Sequence, residues 1–250
     1  MNEFYKKLKE FGKVKLNKPL KNFTTFKIGG PARFFVEVNE KEKLIKLLDF
    51  LRAEGQEYFI LGGGSNLLLP DEELDLVVIQ IKTTGLKIEN SEIHAQAGVM
   101  LGQVVSLSAK NSLVGMAWAA GIPGTVGGAV RGNAGAFGES TSDSLLSVEV
   151  YRDGEILEIS KFDCGFDYRE SVFKNNSDVI LSAKFKLFIG EKSEILKKIQ
   201  ENLSYRSGRF APYPCAGSFF KNLPLSAWQG DKKDIPEKFL QVGKIGVAWL

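Results

Sequence analysis

Apolar positions along the chain recur with two periods, and the switches between them lay out the elements. Residues 32–38 (Ala-Arg-Phe-Phe-Val-Glu-Val) are rich in aromatic and β-branched side chains, as a half-buried strand requires. From 40 to 53 the spacing becomes helical: Leu44, Ile45, Leu47, Leu48 and Leu51 share one stripe, and Gly55 ends it. Residues 58–61 (Tyr-Phe-Ile-Leu) predict a short buried strand running straight into three glycines. Further strands are predicted over 74–81 and 92–97. Helical spacing returns over 101–111, where Leu101, Val104, Val105, Leu107 and Ser108 share a face. Residues 145–159 form a hairpin pattern about Asp153 and Gly154, a pair that tolerates the positive φ of a tight turn. A strand is predicted over 178–188. An amphipathic helix over 193–205 carries Ile195, Leu196, Ile199 and Leu203. Intermixed strands and helices, without strict alternation, favour an α+β fold over a doubly wound sheet.

Two stretches obey neither period. Residues 121–138 place glycine at 121, 124, 127, 128, 132, 135 and 138, with a single charge at Arg131. Glycine lets a ligand approach the backbone closely and costs chain entropy on folding. The stretch therefore reads as a backbone surface wrapping a cofactor, its N–H groups aimed at phosphate or ring heteroatoms. A flexible linker is the alternative, but linkers are polar, and Ile122, Val126, Val130 and Phe137 are interleaved here. The second stretch is Gly62, Gly63, Gly64, Ser65 and Asn66, directly after a predicted strand. Its N–H groups, hydroxyl and amide suit a pyrophosphate; a tight structural turn is the bland reading. It is not a Rossmann fingerprint, because Leu67 stands where the last glycine belongs, and no Gly-Lys-Ser/Thr marks a P-loop.

Composition narrows the class. With 33 basic and 30 acidic residues in 250, the net charge of +3 is too mild to argue for nucleic acid. A hydrophobic content of 44% supports an ordinary core. No run approaches the roughly 18 apolar residues of a membrane span. Residues 1–18 are lysine-rich without an apolar centre, so they read as a charged leader and not a secretory signal. Two cysteines make no disulfide framework. A cytoplasmic, soluble protein is expected.

Three further places hold candidate chemistry. Arg169, in 168–174 (Tyr-Arg-Glu-Ser-Val-Phe-Lys), offers a planar fork of donors for a carboxylate or enolate oxygen, although an ordinary surface arginine looks the same. In 212–222 (Pro-Tyr-Pro-Cys-Ala-Gly-Ser-Phe-Phe-Lys-Asn), a Gly-Ser pair before two phenylalanines holds a hydroxyl at an apolar wall, and Lys221 suits a charged substrate group. Cys215 invites a nucleophile reading, but the one histidine, His94, is distant in sequence, and a packed thiol is favoured. His94 reads as a structural strand position. No spacing for a metal site is present.

Segments 22–30 (Asn-Phe-Thr-Thr-Phe-Lys-Ile-Gly-Gly), 61–66, 120–128 with 133–136, 168–171 and 217–222 together resemble, in order, the UDP-N-acetylenolpyruvoylglucosamine reductase family. The resemblance implies a vanillyl-alcohol-oxidase/PCMH-like FAD-binding fold. Its expected boundaries are 1–70 and 71–190 for two flavin subdomains, 191–206 for a linking helix, and 207–250 for the start of a substrate-binding domain. It implies non-covalent FAD held by Gly62–Asn66 and by Gly121, Ile122, Gly124, Thr125, Gly127 and Gly128, with Thr24 and Thr25 nearby. NADPH is the implied reductant and UDP-N-acetylglucosamine enolpyruvate the implied substrate, in a monomer. Hydride addition to the enolpyruvyl double bond leaves an enolate; Arg169 matches the arginine that stabilises it and Ser218 the serine that protonates it. Lys221 and Asn222 are expected on the substrate side, with Lys221 polarising Ser218. The family's late glutamate has no counterpart before Leu250. The apolar run 246–250 resembles the start of a helix, so the chain is expected to be cut short. Another FAD oxidase of this fold, or a flavin-binding fragment without turnover, are the competing readings.

Overall fold

A computed structural model of the chain describes residues 3–208 and 213–250; Pro212, the first residue of the 212–222 motif, and the start of the leader lie outside them. The leader is structured. Helix α1 (Glu3–Phe11) buries Leu8 and Phe11, and strand β1 (Lys13–Pro19) pairs antiparallel with β2 (Pro31–Val38). Phe4, Leu8 and Phe11 stand one and two turns apart on one face, so their burial organises an otherwise lysine-rich segment.

Helix α2 (Lys41–Ala53) turns its predicted stripe inward, with Leu44, Leu47, Leu48 and Leu51 all buried. Each such leucine is worth ~1.5–3 kcal/mol of burial, so Leu48→Ala in this packed row costs ~2–5 kcal/mol. Strands β3 (Tyr58–Leu61) and β4 (Leu74–Ile81) complete a sheet of order β1-β2-β4-β3, with β4 parallel to both neighbours. Because β4 begins beyond residue 70 yet lies between β2 and β3, the first unit runs to Ile81, past the boundary expected at 70.

The second unit opens with β5 (Leu86–Glu89), too short and too exposed to register in the sequence pattern, and β6 (Glu92–Gln96). Helix α3 (Leu101–Lys110) buries Leu101, Val104 and Val105. After it come the short strand β7 (Leu113–Val114), helix α4 (Val126–Arg131), the two-residue strands β8 (Gly135–Ala136) and β9 (Glu139–Ser140), and one helical turn, α5 (Thr141–Ser144). Strands β10 (Leu145–Arg152) and β11 (Glu155–Ser160) form the expected hairpin, with Asp153 at φ 51° and Gly154 at φ 97°. Strand β12 (Val179–Lys186) closes an antiparallel sheet of order β11-β10-β12-β6-β5.

Beyond β13 (Phe188–Ile189), which pairs with β7, helix α6 (Lys192–Ser207) covers the span expected for the linking helix and packs against this unit. It buries Ile195 and Asn202, and the Asn202 amide donates to the Ala117 carbonyl (2.8 Å). Leu196 and Leu203 of its predicted stripe are exposed. In the C-terminal segment β14 (Leu223–Pro224) pairs with β15 (Lys244–Ile245), and helix α7 (Glu237–Val242) lies between them. The two larger units are joined by side chains: the Tyr151 hydroxyl donates to Asp49 Oδ1 (2.8 Å), and Lys41 meets Glu149 (2.8 Å).

Candidate cofactor and substrate site

The turn after β3 delivers Gly62–Asn66 against the segment before α4. A Cβ on Gly62 would stand 2.7 Å from Thr125 Oγ1; one on Gly63 would stand 2.8 Å from Gly124 Cα. Gly64 has φ +63°, and its Cβ would lie 1.9 Å from the Phe23 carbonyl oxygen. A side chain is therefore opposed by contact at all three positions, and at Gly64 by φ as well. The Ser65 hydroxyl locks the pair of loops by donating to the Pro123 carbonyl (2.9 Å). Thr25 N donates to the Gly64 carbonyl (3.1 Å), which brings the 22–30 motif to the same place.

Among the described residues, the backbone N–H groups of Gly63, Gly64, Ser65, Asn66, Gly124 and Thr125 donate to no protein acceptor. Such groups normally find partners. A cluster of them, presented by two touching glycine loops, is a ready anion cradle. The other expected residues of 121–128 serve differently. Gly127 N donates to the Ala97 carbonyl (2.9 Å), and a Cβ there would meet Ala97 Cβ at 3.0 Å. Gly128 N donates to the Thr125 hydroxyl, and Ile122 N to the Ala119 carbonyl. Gly121, at φ +74°, abuts Arg206.

A second cluster forms around Arg169. Residues 167–170 make a tight turn closed by Glu170 N donating to the Asp167 carbonyl (3.0 Å), and Arg169 sits in it at φ 58°. Arginine pays steric strain in that region, which points to a side chain held for a purpose. Its Nη2 donates to the Gly135 carbonyl (2.5 Å), and a Cβ on Gly135 would press on Nη1 at 3.0 Å. The loop it grips is clamped twice more: Ser171 Oγ donates to the Arg131 carbonyl (2.7 Å), and Asn133 Nδ2 to the Asp167 carbonyl (2.9 Å). Lys174 donates to the Arg169 carbonyl.

The segment carrying Ser218 reaches both clusters. Asn66 Nδ2 donates to the carbonyls of Ala216 (2.7 Å) and Ser218 (3.2 Å), and the Thr25 hydroxyl donates to the Cys215 carbonyl (2.7 Å). From the other side Lys221 Nζ meets Glu170 Oε1 (2.5 Å), and Lys244 Nζ sits 4.0 Å from the Tyr168 ring centre. The bond from Lys221 draws the Glu170 carboxyl below its usual range, against a weaker opposing effect of burial. Four cations, Arg169, Lys174, Lys221 and Lys244, thus gather at the 167–170 turn beside the carboxylates of Glu170 and Asp167, a balance that favours anions. Ser218, Lys221 and Asn222 are exposed.

Lys244 and Glu170 were not singled out from the sequence. Glu170 stands beside Arg169 in a motif that drew attention only to the arginine, and Lys244 carries no local signal. Cys215 is exposed, and His94 lies on β6 between β12 and β5, 3.8 Å and 3.9 Å from carboxylate oxygens of Glu89 and Glu92. Cys164, whose thiol burial pushes up to about 11, is packed. A surface hollow of about 530 Å³ beside α1 and α2, lined by Phe4, Lys7, Glu10 and Phe50, lies away from these clusters. No helix among the described residues is long and apolar enough to cross a membrane.

A family described as "FAD binding domain" matches residues 32–160, which takes in the first glycine loop, the Gly124–Thr125 contact and most of both sheets. The solved structure of alkyldihydroxyacetonephosphate synthase shares the fold, with a TM-score of 0.58 at 15% identity over 75% of this chain and 40% of that one. The chain is thus an FAD-binding α+β protein of the vanillyl-alcohol-oxidase/PCMH-like class, and the cradle's unspent N–H donors fit the pyrophosphate of that cofactor.

UDP-N-acetylenolpyruvoylglucosamine reductase from Caldanaerobacter subterraneus subsp. tengcongensis is 39% identical over 225 residues, covering 87% of this chain and 74% of that protein. The enzyme of that name from Carboxydothermus hydrogenoformans is 40% identical over 222 residues, covering 85% and 72%. The crystal structure of the Thermus caldophilus reductase matches with a TM-score of 0.72 at 32% identity, covering 91% of this chain and 80% of that one. The chain belongs to the UDP-N-acetylenolpyruvoylglucosamine reductase family.

Proposed function

We propose that this chain is a cytoplasmic, monomeric reductase. It uses NADPH and FAD to reduce the enolpyruvyl group of UDP-N-acetylglucosamine enolpyruvate, giving UDP-N-acetylmuramate for peptidoglycan synthesis. One observation carries the assignment of roles: the Ser218 segment is bonded on one side to the flavin loop through Asn66 and on the other to the Arg169 turn through Lys221. Two contacts therefore link residues from three distant stretches, which supports a shared site.

Bound FAD supplies the hydride-transferring centre. The N–H groups of Gly63–Asn66, Gly124 and Thr125 hold its pyrophosphate, while Gly62, Gly121, Ile122, Gly127 and Gly128 shape the wall behind them. The Arg169 guanidinium, fixed by Gly135, keeps further N–H groups for the substrate carboxylate. Negative charge that gathers there on reduction is stabilised by a donor already in place, which is where positioned charge contributes most. The Ser218 hydroxyl carries the proton delivered to the substrate carbon. Serine is a weak acid, so a cation held close by, for which Lys221 three positions on is the candidate, favours the alkoxide it becomes. Lys221 and Asn222 lie on the nucleotide-sugar side, in a segment that opens the substrate domain.

The test is anaerobic mixing of the flavin-loaded protein with NADPH, followed by the enolpyruvyl sugar nucleotide. Loss of flavin absorbance at the first step and its return at the second supports the proposal. A flavin that NADPH bleaches and the sugar nucleotide never restores would leave a binding fragment. Flavin that stays with the protein after denaturation would favour a covalently tethered oxidase.

A further inference from the structure

The segment 213–222 has no regular secondary structure, and its anchors are few. Its first half is tied to the first unit: Cys215 N donates to the Thr25 carbonyl (3.2 Å), the Thr25 hydroxyl returns a bond, and Asn66 bonds Ala216 and Ser218. Its second half is different. Phe219 and Phe220 stack on each other at 4.7 Å and stay exposed. Among the described residues, the ion pair from Lys221 to Glu170 is the polar contact that ties 219–222 to the second unit. Glu170 is adjacent to Arg169 in a closed turn and is further steadied by Lys174 at 3.8 Å.

Resting on the proposed function, we infer that Glu170 is a positioning residue: its carboxylate latches Lys221, and so sets Ser218 in register with Arg169. Without the latch the segment stays attached through Asn66 and Thr25, and beyond it through the β14–β15 pair and Lys244 over Tyr168, but residues 219–222 lose their own bond to the Arg169 turn. A half-exposed ion pair contributes little to global stability. Here the equilibrium it governs is the docking of one short segment, so a modest interaction shifts the docked population about two- to fivefold. The latch is electrostatic and half-exposed, so salt weakens it.

The experiment is hydrogen exchange of the peptide 216–223 in the full chain, for the unaltered protein, Glu170→Gln, Lys221→Met and the double variant. Each single variant is expected to raise exchange about two- to fivefold, and the double variant no further than either single one. Raising salt to about 0.5 M, where the screening length falls to a few ångströms, is expected to bring the unaltered protein close to Glu170→Gln, whose own exchange does not move. Return of flavin colour with substrate is expected to slow in kcat by a similar factor in Glu170→Gln, with little change in KM. Unchanged exchange in Glu170→Gln overturns the latch, and so do effects that multiply in the double variant. Failure of the unaltered protein to turn over the sugar nucleotide would remove the proposed function while the exchange result still decides the latch.

Discussion

A Cβ placed on Gly63 would stand 2.8 Å from the Cα of Gly124, so the two glycine loops meet backbone to backbone with no side chain between them. This contact converts two separate sequence motifs into one surface. Ser65, by bonding the Pro123 carbonyl, fixes their relative height. The loops need glycine for a structural reason and leave their N–H groups free for a chemical one, and both requirements fall on the same residues.

Gly64 carries the steepest structural requirement. Alanine there meets a carbonyl oxygen at 1.9 Å and must hold φ +63°. The left-handed conformation alone costs ~1–2 kcal/mol, before the clash moves the Thr24 segment. Gly64→Ala is expected to lower the melting temperature by at least several degrees, measured by circular dichroism. Gly102→Ala, in open helix surface, is expected to change it little or to raise it.

Ser218→Ala removes the proton carrier and, among the described residues, breaks no side-chain hydrogen bond. Reduction of the flavin by NADPH is expected to stay fast while reoxidation by the sugar nucleotide slows by ~10²–10⁴, read by stopped-flow absorbance. Equal slowing of both steps would count against the role given to Ser218.

Arg169→Lys keeps the charge and loses the planar fork. Lysine cannot hold the Gly135 carbonyl and a substrate carboxylate at once with fixed geometry. Turnover is expected to fall ~10²–10³, with the fold intact by circular dichroism.

Two buried acids make the fold sensitive to alkali. Burial, reinforced by Asp163, raises the Cys164 thiol from 9.0 to about 11; burial and the bond to Asp49 raise the Tyr151 hydroxyl from 10.0 to about 12. In the unfolded chain both groups lose their protons earlier, so between pH 9 and 12 the unfolded state binds fewer protons than the folded one. Stability is therefore full below pH 9 and declines as pH rises through that window. Melting temperatures at pH 8 and 10.5 test this, and Cys164→Ala is expected to flatten the decline. A melting temperature that holds or rises over this interval would contradict it.

Much of the fold was legible because its signals are local. The leucine stripe of α2 and the Asp153–Gly154 turn each depend on a few neighbouring residues. The helix α1 was readable in principle, since Phe4, Leu8 and Phe11 keep helical spacing, but the lysines between them masked it. Strand β1 alternates Lys13, Val14, Lys15 and Leu16 at a sheet edge, where a charged composition hides a strand. The glycine loops were visible as chemistry, but their mutual contact was not, because nothing local in 62–66 encodes the position of 124. The same holds for Glu170 and Lys221, which meet only through tertiary folding.

The contact between the two loops is tested most directly by titrating flavin-free protein with FAD and following the quenching of flavin fluorescence. One saturable site is expected in the unaltered protein and in Gly102→Ala. Gly63→Ala, which forces the loops apart, is expected to bind FAD at least about tenfold more weakly, a loss of ~1.4 kcal/mol. Equal FAD affinity in Gly63→Ala and the unaltered protein would contradict the account.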